Sequence, residues 1–90
     1  MAKLYRIYCE DTQREEVERI AALHFNAFTI STAVGYWTGQ REHSLVVEIF
    51  EPSAFYHAQQ KVGQIAQAIK LACKQEAVLV VELDVQGGLI

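Results

Sequence analysis

The sequence predicts an α+β domain whose strands and helices follow the order β-α-β-β-α-β. Two segments show the apolar spacing of a helix, and four short segments are rich in the aromatic and β-branched residues that favour strands. A chain of 90 residues has room for one domain, which we place over residues 1–90. This element order predicts a ferredoxin-like sandwich, a four-stranded antiparallel sheet with both helices on one face.

The first strand is predicted over residues 3–9, and the first helix follows it. Thr12 and Glu15 have the spacing of a capping box, in which each side chain accepts a hydrogen bond from the other's backbone amide. This pattern marks Thr12 as the start of the helix. The helix is expected to run to about Phe25, with Asn26 as its stop.

The second and third strands are predicted over residues 27–37 and 43–50, joined by a turn at residues 38–41. The two strands then form an antiparallel hairpin. Since successive strand residues point to opposite faces, Tyr36 and Trp37 are expected on opposite sides of the sheet.

The second helix is predicted from Ser53, its N-cap, to about Gln75, and the last strand covers residues 77–84. Gly63 lies inside this helix at a cost in stability, which suggests that another backbone approaches there. The apolar stripe of the helix consists of Phe55, Ala58, Val62, Ile65, Ala66, Ile69, Ala72 and Cys73.

The predicted strands are too apolar for a sheet with one face in water. Residues 45–50 are apolar on both sides apart from Glu48, and residues 78–81 contain no polar side chain. Burial of four or five extra apolar side chains is worth about 6–15 kcal/mol, which rivals the stability of a small domain. We therefore expect a homo-oligomer whose subunits cover the second face. The alternative is that these side chains are individually exposed, which is common on protein surfaces.

Composition and charge argue against several classes of partner. The net charge is −3 and the eight lysine and arginine residues are scattered, whereas nucleic-acid binders carry a basic stripe. No apolar stretch approaches the roughly 18 residues of a membrane span, and the N-terminus has no apolar signal region. Cys9 and Cys73 have no metal or redox spacing, so a reduced, cytoplasmic setting is expected.

No cofactor and no metal are expected. His24, His43 and His57 lie in three different predicted elements and lack metal-ligand spacing. Gly87 and Gly88 follow the last strand with no helix after them, so they do not form a phosphate-binding loop.

The hairpin over residues 35–44 holds the cluster best suited to chemistry. Aromatic faces stack on flat heterocycles and attract cations, and a carboxylate can bind a ribose diol or an ammonium group. In an oligomer, a neighbouring subunit would supply the walls of a cleft. The alternative is that the tryptophan packs against that subunit while the charged residues are solvated. The residues concerned are Tyr36, Trp37, Arg41, Glu42 and Ser44.

Glu48 is a second candidate because it interrupts an otherwise apolar segment. Buried at a subunit boundary, its carboxyl would hold its proton more firmly and serve as a general acid or base. The alternative is a residue at the rim that faces water.

Residues 35–83 resemble the core of the small phage-encoded S-adenosylmethionine lyases and, more broadly, short phage proteins of ferredoxin-like, PII-related fold. The shared features are Gly35-Tyr36-Trp37 leaving the second strand, Glu42 opening the third strand, and a helix that runs into the last strand. The resemblance covers about half of the chain.

The resemblance implies a trimer with ligand clefts between subunits. In the lyases the substrate's own carboxylate attacks its chain, giving methylthioadenosine and homoserine lactone, while a tyrosine and a glutamate help to position it. Glu42 matches the glutamate, and Trp37 takes the tyrosine's place in an ungapped alignment, with Tyr36 one residue away. The implied catalytic residues are Glu42 and Tyr36, and the expected ligand-binding residues are Trp37, Arg41, Ser44 and Glu48.

Three functions remain open from the sequence. The first is a lyase of S-adenosylmethionine, which predicts methylthioadenosine as a product. The second is a non-catalytic sponge or sensor for an adenosine- or nucleotide-containing metabolite, which predicts binding without a product. The third is a counter-defence inhibitor that plugs a host enzyme with Trp37 and the hairpin, which predicts a stable complex with a host protein.

Overall fold

A computed structural model describes residues 2–52 and 56–88 and confirms the predicted ferredoxin-like sandwich. Its elements are β1 (Ala2–Glu10), α1 (Arg14–His24), β2 (Thr29–Trp37), β3 (Gln40–Glu51), α2 (Tyr56–Ala72) and β4 (Leu79–Val85). The strands form one antiparallel sheet in the order β2-β3-β1-β4, and both helices pack on one of its faces.

The hydrophobic core lies between the helices and the sheet. Alternate residues of the central strands β1 and β3 point into it and meet the apolar stripes of α1 and α2. Neither of these helices, the two in the described part of the chain, is long and apolar enough to cross a membrane. The largest fully buried side chains are Ile7, Val17, Leu45, Val47, Ile49, Val62, Ile65 and Ile69.

The start of α1 differs from the prediction. The helix begins at Arg14, and its N-cap, Gln13, makes no capping hydrogen bond with its side chain. The predicted capping box of Thr12 and Glu15 is therefore wrong, because Thr12 lies one residue before the cap. Phe25, the predicted last helical residue, is already extended.

The hairpin of β2 and β3 is confirmed, but its turn is shorter than predicted. Only Thr38 and Gly39 lie outside the strands, and both have positive φ angles, 50° and 80°, as in the two-residue turns that match the twist of a hairpin. β3 consequently starts at Gln40. Arg41 and Glu42 are therefore strand residues on opposite faces of the sheet.

Helix α2 has most of its predicted apolar stripe buried, with Ser53 and Phe55 lying outside the described residues. Ala72 differs from the prediction because it is exposed. Gly63 is also exposed, and no neighbouring atom comes within 4 Å of the point where a side chain there would begin. No backbone of the same chain therefore approaches Gly63 closely.

A Schellman motif closes the end of α2. Lys74 has a positive φ of 53°, and its amide donates to the Leu71 carbonyl at 3.4 Å. The Gln75 amide donates to the Lys70 carbonyl at 3.0 Å. These bonds turn the chain back toward the sheet, where β4 begins at Leu79 rather than at residue 77.

The sheet face opposite the helices, hereafter the open face, combines an apolar surface with a central ion pair. Arg6 and Glu48 form this pair, with the guanidinium Nε 2.8 Å from a carboxylate oxygen. Residues 45–50 and 79–81 thus place apolar side chains on both faces of the sheet, as the sequence indicated, whereas Glu82 and Asp84 of β4 put charges on the face that carries the helices. The apolar and aromatic side chains that β1, β3 and β4 place on the open face are Ala2, Leu4, Tyr8, Val46, Phe50, Leu79, Val81, Leu83 and Val85.

Candidate functional site

The predicted site residues divide between the two faces of the sheet. The hairpin register pairs Tyr36 with Arg41 and Gly35 with Glu42. Directly paired residues share a face, and so do residues two apart along a strand. Trp37 and Glu42 therefore lie on the open face, whereas Tyr36 and Arg41 lie on the face that carries the helices.

Trp37 and Glu42 line a cleft of about 310 Å³ at one end of the open face, hereafter the hairpin cleft. It forms where the hairpin turn, the end of β1 and the loop between α2 and β4 meet. This volume is at the lower limit for small-molecule sites, so an additional wall would let the cleft enclose more of a ligand's surface. The lining residues are Tyr8, Cys9, Glu10, Trp37, Thr38, Gln40, Glu42, Glu76 and Ala77.

The indole of Trp37 lies over Gly35. Its nitrogen is 3.1 Å, and its Cδ1 carbon 3.7 Å, from the point where a side chain on Gly35 would begin. The hydroxyl of Ser44 is also 3.1 Å from this point, and Ser44 is buried beneath the cleft rather than part of its lining. Trp37 remains 37% exposed, which leaves part of the ring available to a ligand.

The hairpin cleft is acidic. Glu10, Glu42 and Glu76 are among its lining residues, and the lining contains no lysine or arginine. None of these three carboxylates has an ion-pair partner among residues 2–52 and 56–88. The cleft therefore has a negative potential, which attracts cationic groups and repels phosphates.

Glu48 lies at the centre of the open face, outside the lining of the hairpin cleft. Its hydrogen bond to Arg6 is the main cause that raises the pKa of the Arg6 guanidinium, and Tyr8 adds a smaller effect of the same sign. Within one chain, Glu48 is thus the ion-pair partner of Arg6 rather than a free acid beside Glu42.

Outside the hairpin, the cleft has three aromatic or charged lining residues that were not anticipated from the sequence: Tyr8, Glu10 and Glu76. The first two belong to β1, which ends beside the hairpin because Glu10 pairs with Ser44 of β3. The ferredoxin-like order places β1 next to β3, so this proximity could have been inferred from the fold. The position of Glu76 depends on the hydrogen bonds between Gln75 and Glu10, which no local pattern indicates.

The thiols and the metal-binding residue types form no further centre in the described residues. Cys9 and Cys73 are both buried and free. Burial raises the pKa of the Cys9 thiol to about 11, and a thiol held in its protonated form is a poor nucleophile. Across the described ranges, no three histidine, cysteine, aspartate or glutamate side chains converge to hold a metal ion.

Searches with protein-family models and among curated proteins found no match. Among solved structures, a phage S-adenosylmethionine lyase in complex with S-methyl-5'-thioadenosine matches with a TM-score of 0.74 and 17% identity, over 92% of this chain and 81% of that one. CPII, a nitrogen regulatory PII-like protein from Thiomonas intermedia K12 bound to ADP, AMP and bicarbonate, matches with a TM-score of 0.67 and 15% identity, over 99% of this chain and 94% of that one. The chain has a PII-like ferredoxin fold.

A DUF3240 family protein from Shewanella baltica OS155 is also similar, with a TM-score of 0.71 and 16% identity over 99% of this chain and 96% of that one. The predicted resemblance to phage lyases and PII-like proteins is thus confirmed at the level of structure. At these identities the likeness shows the PII-like fold alone, and the ligand has to be argued from the hairpin cleft.

Proposed function

We propose that the hairpin cleft binds a cationic, adenosine-containing metabolite, for which S-adenosylmethionine is the best fit. The supporting observation is a cleft that combines aromatic residues with carboxylates and has no basic residue. Adenine stacks on aromatic rings, and a sulfonium or ammonium group is attracted both to ring faces and to carboxylates. The aromatic residues are Trp37 and Tyr8, and the carboxylates are those of Glu10, Glu42 and Glu76.

The same charges disfavour ligands that carry phosphate groups. Phosphates are usually held by arginine or lysine side chains or by helix N-termini, and the cleft lining provides neither. CPII is bound to ADP and AMP, whereas the phage lyase holds S-methyl-5'-thioadenosine. We therefore expect this chain to prefer the kind of ligand found in the lyase.

The protein works as a homo-oligomer in which copies of the chain cover the open face. Three apolar side chains on that face are each more than a third exposed, namely those of Phe50, Leu79 and Leu83. Their burial between subunits would favour association. The Arg6–Glu48 pair brings no net charge into such an interface, so it is less costly to bury than either charge alone. A trimer is the assembly that the resemblance implies, and a neighbouring subunit would add a wall to the cleft.

The catalytic form of the proposal is a lyase in which the protein mainly positions its substrate. The substrate carboxylate forms a C–O bond to the carbon beside the sulfonium, the C–S bond breaks, and sulfur leaves with the electron pair as methylthioadenosine. Glu42 and Tyr8 share the cleft, so Tyr8 is the better candidate for the positioning tyrosine. Tyr36 and Arg41 lie on the other face, from which they reach a ligand only in a neighbouring subunit's cleft.

Titration calorimetry with S-adenosylmethionine and with ADP tests the ligand class. We expect S-adenosylmethionine to bind at least about tenfold more tightly than ADP. A favourable charge contact and an avoided charge repulsion each change the affinity by about tenfold. Glu42→Gln should weaken its binding, while Glu18→Gln, at an exposed position on α1, should not. Tighter binding of ADP would refute the proposal.

Chromatography for methylthioadenosine separates the catalytic form from simple binding. Product that disappears in Glu42→Gln supports a lyase, and binding without product supports the sponge or sensor. No binding of either nucleoside compound would refute both and leave the host-protein inhibitor as the function to test.

A further inference from the structure

Gln75 is a buried polar residue that joins the end of α2 to the end of β1. Only 6% of it is exposed. Its side-chain oxygen accepts a hydrogen bond from the Glu10 amide at 3.0 Å, and its side-chain nitrogen donates to the Glu10 carbonyl at 3.2 Å. Both ends of the buried amide group are thus satisfied by a single residue of β1.

These two bonds extend the sheet beyond the point where β4 begins. β4 pairs with β1 only as far as Tyr8 and Leu79, so Glu10 has no strand partner on that side. The Gln75 side chain presents a donor and an acceptor to Glu10, as a paired strand residue would. The Schellman motif holds the Gln75 backbone through its bond to Lys70, so the connection is fixed at both ends.

The residues on either side of this connection belong to the hairpin cleft. Glu10 is bonded directly to Gln75, and Glu76 follows Gln75 in the chain. Together with Glu42 they place three carboxylates around one cleft. Because like charges repel, the loop that carries Glu76 would lower its energy by moving away if nothing held it.

We infer that Gln75 is a positioning residue for the hairpin cleft: its two bonds to Glu10 hold Glu76 and Glu10 opposite Glu42 and so maintain the cleft's preference for cations. The identity of the cation rests on the proposed function. The positioning itself is a property of the ligand-free protein and is measurable without any ligand.

Trp37 makes this measurement possible because it is the only tryptophan in the chain and lies in the cleft. Quenching of its fluorescence by caesium and by iodide reports the local concentration of cations and anions. In the wild-type protein we expect the ratio of the caesium quenching constant to the iodide quenching constant to be higher than for free tryptophan, because carboxylates concentrate cations.

The variant Gln75→Met has a side chain of similar length that cannot bond Glu10, and it should lower this caesium-to-iodide ratio by about twofold. Gln67→Met, at an exposed position on α2, is the matched control and should leave the ratio unchanged.

Gln75→Glu adds a pH readout that a purely structural role would not produce. A protonated carboxyl can donate to the Glu10 carbonyl and accept from the Glu10 amide, whereas an ionised carboxylate has no donor. Since burial favours the neutral form, the caesium-to-iodide ratio of Gln75→Glu should match that of the wild-type protein at about pH 6 and depart from it at about pH 8, where the ionised side chain can no longer donate to Glu10. Gln67→Glu should show no such recovery.

An unchanged quenching ratio in Gln75→Met, or a ratio in Gln75→Glu that does not depend on pH, would overturn the inference. If Gln75→Met fails to fold, the pH response of Gln75→Glu decides. If the quenching results hold but the wild-type protein does not bind S-adenosylmethionine, the positioning role stands and the proposed function fails.

Discussion

The indole nitrogen of Trp37 lies 3.1 Å from the point where a side chain on Gly35 would begin, so the shape of the hairpin cleft depends on the absence of that side chain. Two non-bonded heavy atoms are most favourable at roughly 3.5–4.0 Å, and a methyl group on Gly35 would therefore push the ring outward. Glycine is needed here for space in a regular strand, not for an unusual backbone angle.

Gly35→Val should displace the indole from the cleft. We expect the Trp37 emission maximum to shift to longer wavelength as the ring becomes more solvated, and the affinity for S-adenosylmethionine to fall by about tenfold with the loss of an aromatic contact. Ala33→Val is the matched control, because Ala33 is exposed on the same face of the same strand. Unchanged emission in Gly35→Val would show that the ring does not rest on Gly35.

Gly63→Ala should stabilise the protein by about 0.5–1 kcal/mol, because alanine loses less backbone entropy in a helix and the space around Gly63 is open. Chemical denaturation of both proteins measures the change. A loss of stability would indicate a contact between Gly63 and another subunit.

Lys74→Gly should also stabilise the protein, by about 1 kcal/mol. Lys74 has a φ of 53°, a conformation that is costly for residues with a Cβ atom and free of that cost for glycine. Lys70→Gly, in the last turn of α2, is the opposite control and should destabilise by a similar amount. Equal effects of the two substitutions would contradict the assignment of the Schellman motif.

Stability should fall at high pH through Cys9. Burial raises the pKa of its thiol from 9.0 to about 11, so the folded state retains a proton that the unfolded state releases between these values. This contribution is fully present below about pH 9 and is lost as the pH rises through about 11, for a total of about 2–3 kcal/mol. Denaturation curves of the wild-type protein and Cys9→Ala at about pH 8 and pH 11 isolate the effect, because the variant lacks it. A constant difference between the two proteins would refute it.

Local patterns in the sequence were sufficient for the fold and for part of the site. The strand alternation placed Tyr36 and Trp37 on opposite faces, as the register confirms. It does not place Arg41 or Glu42 on a face, because the predicted turn covers residues 38–41 and the predicted strand begins at residue 43. The hairpin turn in fact needs only Thr38 and Gly39.

The far wall of the cleft could not be predicted because it depends on contacts between residues distant in sequence. Gln75 and Glu10 are 65 positions apart, and their hydrogen bonds determine where Glu76 lies. Nothing in the residues around either position indicates this pairing. The error at Thr12 has a local cause: a capping box requires the helix to start one residue earlier than it does.

Sedimentation equilibrium at micromolar protein concentration tests the central claim most directly, namely that copies of this chain cover the open face and complete the hairpin cleft. We predict a species of several times 10.2 kDa, with a trimer as the expected assembly, that dissociates in Leu83→Glu. Leu71→Glu, at an exposed apolar position on α2, should leave the assembly intact. A wild-type protein found only at 10.2 kDa would contradict the account.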